Sequence, residues 1–164
     1  MSEQINTQDV PELTEEVVEE VEDASSVERC LTFESGDLVL YISTRYVIEI
    51  INNYPITMLP LMPPYIKGII NLRGQILPVV DIKLSMGKGS SEYTGKTCII
   101  VLNIDSVSLG IIVDSVRQVI DIDLKTVRPI PLKRQQKLLD GMVTMEDGSV
   151  FMSIDCQALS CPQL

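Results

Sequence analysis

YIKGIINLRGQILPVVDIKLSMG, residues Tyr65 to Gly87, is the stretch against which the rest of the chain is read. It holds two apolar runs, Ile66–Leu72 and Ile76–Leu84, joined by Asn71-Leu72-Arg73-Gly74. Isoleucine and valine are stiff at χ1 and suit a pleated strand. Gly74 supplies the positive φ that a tight connection needs. The stretch therefore predicts a β-hairpin with Arg73 at its tip. Pro78 has no N–H for a ladder, which predicts an edge strand or a bulge there. Asp81 and Lys83 alternate with Ile82 and Leu84, the period of a half-buried strand. Taken alone, Arg73 is a solvated turn residue.

Charge is placed unevenly along the chain. Residues 1–28 carry ten acids (Glu3, Asp9, Glu12, Glu15, Glu16, Glu19, Glu20, Glu22, Asp23 and Glu28) and no Lys or Arg. The remaining residues hold 13 acids against 13 bases, so the tail accounts for the whole net charge of −10. It reads as an acidic, disordered, solubilising tail. Leu13, Val17 and Val21 lie at i, i+4 and i+8, a spacing that also admits a short amphipathic helix on binding. With no basic patch, nucleic acid is excluded as a partner.

The chain has 164 residues, 45% of them apolar, and is enough for one domain or two very small ones. Aromatics are 4% and Trp is absent, so the core must be built of Ile, Val, Leu and Met. No apolar run approaches the ~20 residues of a membrane span, and the N-terminus has no secretory pattern. Cys30, Cys98, Cys156 and Cys161 form no CxxC pair and read as reduced cytosolic thiols filling space.

Strand-like runs recur from Arg29 onward. Cys30–Glu34 and Leu38–Ser43 flank the turn Ser35-Gly36-Asp37; Tyr46–Ile51 surrounds one acid, Glu49. Asn52–Pro64, with four prolines, reads as an extended apolar crossing. After the hairpin and a Gly/Ser loop come strands at Thr97–Asn103, Val107–Val113 and Val116–Ile122. Lys133–Leu139 reads as one or two helical turns with Gly141 as C-cap. A last hairpin, Met142–Met145 with Ser149–Ile154, precedes a short terminal helix at Asp155–Leu159. Some nine or ten short, regularly spaced strands predict an all-β fold, closed or sandwiched.

Chemistry-bearing patterns are weak. Gly89 to Thr97 nearly matches a phosphate-binding loop, but has one residue too many between glycines and leads into CIIVLNI, a strand by composition. There is no His for acid–base work or zinc. Asp81, Asp114, Asp121 and Asp123 form no pair and read as solvated strand ends. No cofactor, metal or catalytic group is expected.

The run K-G-I-I-N-L-R-G-Q-I-L-P-V-V-D-I resembles the signature stretch of the CheW-like family, the adaptors of bacterial chemotaxis, and the resemblance extends from about Leu31 to Leu159. With no kinase or receiver segment, the chain looks like the stand-alone adaptor. The resemblance implies two small SH3-like five-stranded barrels, packed side by side with short helical turns, making residues 29–164 one unit of two intertwined subdomains. The strands of one barrel would be interrupted by the other. Barrels this small have small cores and should depend on their mutual interface. The family's matching acid and arginine lie close together. A carboxylate among the apolar neighbours of VIEII is costly unless paired, and the arginine fork suits it. An ion pair between Glu49 and Arg73 is therefore predicted.

The resemblance further implies a non-enzymatic scaffold that couples the cytoplasmic tip of methyl-accepting chemoreceptors to the chemotaxis histidine kinase. It would be cytoplasmic, without direct membrane insertion, and recruited to membrane-associated receptor arrays. The alternative is a CheW-like module serving another signalling kinase, such as one for surface motility. Carried over by position, the receptor groove would use Val47, Glu49, Ile50, Lys67, Gly68, Arg73 and Gly74, with Val116 and Val119 from the second barrel. Gly68 and Gly74 would let a helix approach closely. One kinase contact would come from the second barrel, at Thr97, Ile99, Val101, Ile111 and Val113. The opposite contact would use the first barrel with Pro129, Leu132 and Lys133. There the chain departs from the pattern: Leu132-Lys133 stands where better-known relatives present a large aromatic, and the segment to Gly141 looks shortened.

Overall fold

The computed structural model describes residues 26–89, 92–131 and 138–160. Its ten strands form two five-stranded antiparallel-rich sheets, each rolled into a small SH3-like barrel, the two lying side by side. The outer barrel takes β1 (Val27–Ser35), β2 (Leu38–Ser43), β8 (Ser115–Asp123), β9 (Leu139–Thr144) and β10 (Val150–Ile154), ordered β8-β1-β2-β10-β9. The inserted barrel takes β3 (Val47–Asn52), β4 (Ile66–Leu72), β5 (Gln75–Asp81), β6 (Cys98–Ile104) and β7 (Val107–Val113), ordered β3-β6-β7-β5-β4. One barrel thus interrupts the other in sequence, as expected. Two short helices, α1 (Ile82–Ser85) and α2 (Cys156–Ser160), follow β5 and β10.

The two barrels are repeats of one another. Both pair the second strand of the β1–β2 or β6–β7 hairpin in parallel with the second strand of another hairpin, β9–β10 in one barrel and β4–β5 in the other. Registers coincide: Gly68 faces Val79 where Gly141 faces Ser153. Bridges outside the strands coincide too, Thr57 with Ile69 and Arg128 with Met142. Asp81 Oδ1 accepts the N–H groups of Lys83 (3.0 Å) and Leu84 (3.3 Å), capping α1. Asp155 Oδ1 accepts those of Gln157 (3.0 Å) and Ala158 (3.3 Å), capping α2. Each capping side chain supplies an acceptor to donors that a helix leaves unpaired.

The largest core lies between the barrels. The outer barrel contributes Leu31, Phe33, Leu40 and Ile42, and the inserted barrel the matching positions Ile100, Leu102, Leu109 and Ile111. The same patch on both partners is an isologous interface, the signature of a twofold axis. Each barrel also has its own interior: Ile70, Leu77, Val79, Ile99, Val101 and Ile112 in one, and Cys30, Tyr41, Ile122, Val143 and Phe151 in the other. Strands β6 and β7 are covered on both faces, which is why they read as nearly continuous apolar runs.

Several sequence expectations are corrected. Strand β5 is not at an edge, since it lies between β4 and β7. Pro78 is tolerated because its partner Ile69 turns both its N–H and C=O outward to Thr57. The Ile69–Pro78 pair is thus a non-hydrogen-bonded rung, and pairing with β7 begins only at Val79. The second run does not continue as strand to Leu84; Asp81 ends it by capping α1. Asp81 and Lys83 are accordingly buried, not solvated. Gly141 lies inside β9 and is no C-cap, and Leu139 opens that strand rather than closing a helix. The rest of the helical turns expected at 133–139 falls outside the described residues, as do residues 1–25 and Cys161. Strand β1 begins at Val27, so Glu28 belongs to the folded body, paired with Arg45 at 2.9 Å.

Candidate docking groove between the barrels

Strands β3 and β4 are the two ends of the inserted sheet, and the hairpin tip brings them together. Arg73 and Gly74 both have positive φ (52° and 86°), the backbone of a two-residue I′ turn. Asn71 Oδ1 accepts the Gly74 N–H at 3.0 Å and fixes that turn. From there Arg73 reaches Glu49 of β3 in a two-pronged pair, Nη1–Oε1 2.5 Å and Nη2–Oε2 3.1 Å. The predicted ion pair is present. Its arginine side chain is 75% exposed and its glutamate 24%, so the carboxylate is the sheltered partner. The hydrogen bonds from Arg73 hold the Glu49 carboxyl below the usual glutamate range and raise Arg73 in return. Tyr54 adds a second tie, its hydroxyl donating to the Asn71 carbonyl.

A cleft of about 500 Å³ opens between the barrels. Ile50 and Asn52 of β3 and Ser115 and Val116 of β8 line it, together with Glu34 and Lys96. Val47 and Val116 pack on the shared core and Ile50 and Val119 stand exposed. The structure thus joins Glu49 to Arg73 on the inserted barrel, sets Ile50 and Val116 on opposite sides of the cleft and packs Val47 and Val116 on the shared core. Lys67 is half-buried, its ammonium 5.9 Å from the Tyr93 ring centroid. Tyr93 in turn donates to the buried Asp81 at 3.3 Å, and burial with the Asp81 charge pushes its phenol up to about 12.

Gly68 does not serve the approach of a partner helix. It is buried at a bulge, φ 150°, and a Cβ there would lie 2.2 Å from the Thr57 carbonyl oxygen. The preceding loop occupies the space. Gly74 is exposed, with open space where a Cβ would stand, so its role is the turn itself.

The expected kinase contacts divide. Ile99, Val101, Ile111 and Val113 are buried core residues, at 5%, 2%, 0% and 1% exposure, and offer no side chain to a partner. The signal was present in the sequence: an unbroken apolar run is covered on both faces. These strands also share the inserted barrel with Glu49 and Arg73, whereas Val116 and Val119 belong to the outer one. Thr97 is half-buried, its hydroxyl accepting the Thr94 N–H at 2.8 Å. Pro129 is exposed; Leu132 and Lys133 lie outside the described residues. Sequence reasoning missed Ile48, Ile76 and the loop Met58–Met62, all strongly exposed apolar groups on the inserted barrel.

Two other features carry no chemistry. A hollow of about 530 Å³ on the outer barrel is lined by groups already satisfied, Glu28 by Arg45 and Ser43, and Asp140 by Ser153. Two thiols face it; burial pushes Cys30 up to about 11 and Cys156 to about 12, so both are protonated near neutrality. Lys96-Thr97 leads into strand β6, not a helix. Among the described residues no helix is long and apolar enough to cross a membrane.

A two-barrel, all-β body whose distinctive surface is a charge-rimmed groove defines a protein-docking module. The chain belongs to the CheW-like family, whose domain matches residues 29–161. It is 34% identical over 101 residues to the chemotaxis protein CheW of Rhizobium meliloti, covering 62% of this chain and 65% of that one. To the chemotaxis protein CheW of Bacillus subtilis it is 31% identical over 105 residues, covering 63% and 67%. Protein FrzA of Myxococcus xanthus is 31% identical over 100 residues, covering 61% and 62%. The matched stretch thus spans about two thirds of each relative. The crystal structure of the scaffolding protein TtCheW from Thermoanaerobacter tengcongensis superposes with a TM-score of 0.73 at 30% identity, covering 78% of this chain and 88% of that one.

Proposed function

We propose that the protein is a non-enzymatic scaffold, working in the cytoplasm at membrane-associated arrays, that couples the helical tip of a chemoreceptor to the chemotaxis histidine kinase. The observation that carries this reading is the Glu49–Arg73 pair on β3, whose next residue, Ile50, lines a cleft between the barrels, in a chain of the CheW-like family. The groove suits helix-in-groove recognition, with Val47, Ile50, Val116 and Val119 as apolar contacts. Arg73 at the rim steers and orients an acidic partner more than it binds one. Signal passes as a change in relative geometry, with no bond made or broken.

The kinase contact moves to surfaces that are open. On the inserted barrel these are Ile48, Ile76 and the loop Met58–Met62, whose Leu61 projects fully into solvent with φ 63°. On the outer barrel the opposite contact uses Pro129, which is exposed, together with Leu132 and Lys133, which lie outside the described residues. Each interface is weak alone, and an array makes them effective by holding the partners at high local concentration.

The test is reconstitution of kinase with receptor fragment and this chain. Arg73→Glu should abolish receptor-dependent control of phosphorylation while the thermal unfolding curve stays that of wild type. Unchanged control sinks the groove assignment. A module for a different signalling kinase is the second reading, and capture of that kinase in preference to the chemotaxis one would favour it.

A further inference from the structure

The point where the acidic stretch joins the folded body is fixed. The Ser26 carbonyl accepts the Leu124 N–H at 2.7 Å, at the end of the β1–β8 ladder. With Glu28 assigned to the body, residues 1–25 keep nine acids and no Lys or Arg. Val21 precedes Ser26 by five residues, so it stands at most about 18 Å from that anchor even with the chain fully extended. A segment tethered so closely meets the neighbouring surface at high effective concentration.

That surface carries the complement of the segment. Val27 and Leu124 are apolar and exposed, at 49% and 46%. Residues 124–131 hold two cations, Lys125 and Arg128, and no acid. Both cations are exposed, and neither has an ion pair among the described residues. Leu124 and Val127 also line the hollow of about 530 Å³ on the outer barrel, so apolar side chains have a recess to enter. Asp140 and Asp155 line the same hollow and repel carboxylates. The acids of a docked segment must therefore stand on the side of Lys125 and Arg128.

The order of residues matches as well. On the body an apolar residue is followed by a cation twice, at Leu124-Lys125 and Val127-Arg128. On the acidic stretch an acid is followed by a valine twice, at Glu16-Val17 and Glu20-Val21. Wound as a helix, that spacing sets the two acids in one row and the two valines in the row beside it.

We propose that residues 13–23 fold back on this face of the outer barrel, and that the contact is self-inhibitory. Val17 and Val21 cover Val27, Leu124 and Val127, while Glu16 and Glu20 meet Lys125 and Arg128. Pro129, exposed, follows Arg128 directly, so the docked segment shields the surface assigned above to the kinase. The kinase must displace it to bind. The inhibition rests on that kinase reading; the fold-back does not.

The test digests the full chain with a glutamate-specific endoprotease. Mass spectrometry follows the bonds after Glu16 and Glu20, with the bond after Glu3 as internal control and the fold checked by circular dichroism. The double variant Lys125→Glu with Arg128→Glu, and separately Leu124→Ser, leave the cleaved bonds untouched. Each should speed their cleavage about fivefold or more relative to the control bond, since cleavage tracks the undocked population. Equal rates in wild type and both variants overturn the fold-back. Protection that grows with protein concentration assigns the segment to a second copy and overturns it likewise. Glu16→Gln with Glu20→Gln should tighten binding of the chemotaxis histidine kinase about threefold or more, because the competent form is no longer a minority. Unchanged affinity, with wild type protected from cleavage, overturns the inhibition and leaves the fold-back standing. No kinase binding by either form sinks the kinase reading and the inhibition with it, while the cleavage rates still decide the fold-back.

Discussion

Gly68 and Gly141 hold the same place in the two barrels: each is buried in the first strand of a hairpin, under the loop that leads into it. What lies over them differs. At Gly68 a Cβ would meet backbone, the Thr57 carbonyl oxygen at 2.2 Å and its carbon at 2.8 Å, and φ is 150°. At Gly141 it would meet side chains, Val127 Cγ1 at 2.9 Å and Ser153 Oγ at 3.0 Å. Backbone held by its own bridge to Ile69 cannot yield cheaply, whereas a valine methyl and a hydroxyl can turn aside. Gly68→Ala should therefore cost about 3 kcal/mol or more and Gly141→Ala about 1 kcal/mol. Urea midpoints at constant slope would measure both. Equal losses would show that the loop over Gly68 moves freely.

Lys83 and Asp114 tie α1 of the inserted barrel to the point where the chain leaves that barrel for β8. Lys83, 8% exposed on α1, puts Nζ 2.7 Å from Asp114 Oδ1, just after β7. The other carboxylate oxygen accepts the Gly36 N–H of the β1–β2 turn at 2.7 Å. Removing either partner takes this ion pair from the other, and Lys83 is the more sheltered of the two, at 10% side-chain exposure against 35% for Asp114. Lys83→Ala and Asp114→Ala should each cost about 3 kcal/mol, and the double variant clearly less than their sum. A double-mutant cycle in urea reads the coupling, and full additivity would mean that the contact contributes nothing.

Much of this was legible in the sequence because local pattern and tertiary demand agreed. The Arg73 hairpin, the Ser35–Asp37 turn and the last hairpin were read from turn residues between apolar runs. The Glu49–Arg73 pair followed from an acid among isoleucines and the family pattern. Asp81 failed because alternation with Ile82 looks like a strand, and only the helical cap reveals that its side chain turns back on the following amides. Pro78 failed because edge or interior is decided by which neighbour pairs at that rung. Ile99 and Ile111 were misplaced on a surface although CIIVLNI and VSLGIIV already lack a polar face. The repeat was visible too, as K-G-I-I ahead of V-V-D-I and D-G-M-V ahead of M-S-I-D, but β-repeats share few identical residues.

The same ion pair sets a pH dependence. The Glu49 carboxyl is held below its usual range by Arg73, so its proton affinity is lower folded than unfolded. The pair's contribution is then complete above the ordinary glutamate value, roughly 4.3, and is lost as pH falls through the lowered one. A carbon-detected titration of the Glu49 carboxyl should show a midpoint below that value, moving up in Arg73→Gln. A midpoint unchanged by that substitution would mean that the two groups do not interact in solution. The exchange variant, Glu49→Arg with Arg73→Glu, should keep the pair yet lose receptor binding, because the sign displayed at the exposed tip is reversed.

Finally, the shared core predicts how the molecule unfolds. Phe33 of the outer barrel and Leu102 of the inserted one are both fully buried in the same cluster, at matching positions of an isologous interface. Neither barrel can keep that face covered if the other opens, and exposed apolar surface is costly at roughly 25 cal/mol per Å². The two barrels should melt as one. Phe33→Ala and Leu102→Ala should each cost about 3–5 kcal/mol and lower a single calorimetric transition, with amide exchange accelerating in both barrels whichever one is altered. Within one barrel the private interiors permit a contrast: Val143→Ala touches only the outer one. If Phe33→Ala split the transition in two, the barrels would be independent bodies, and the groove between them would be free to open and close.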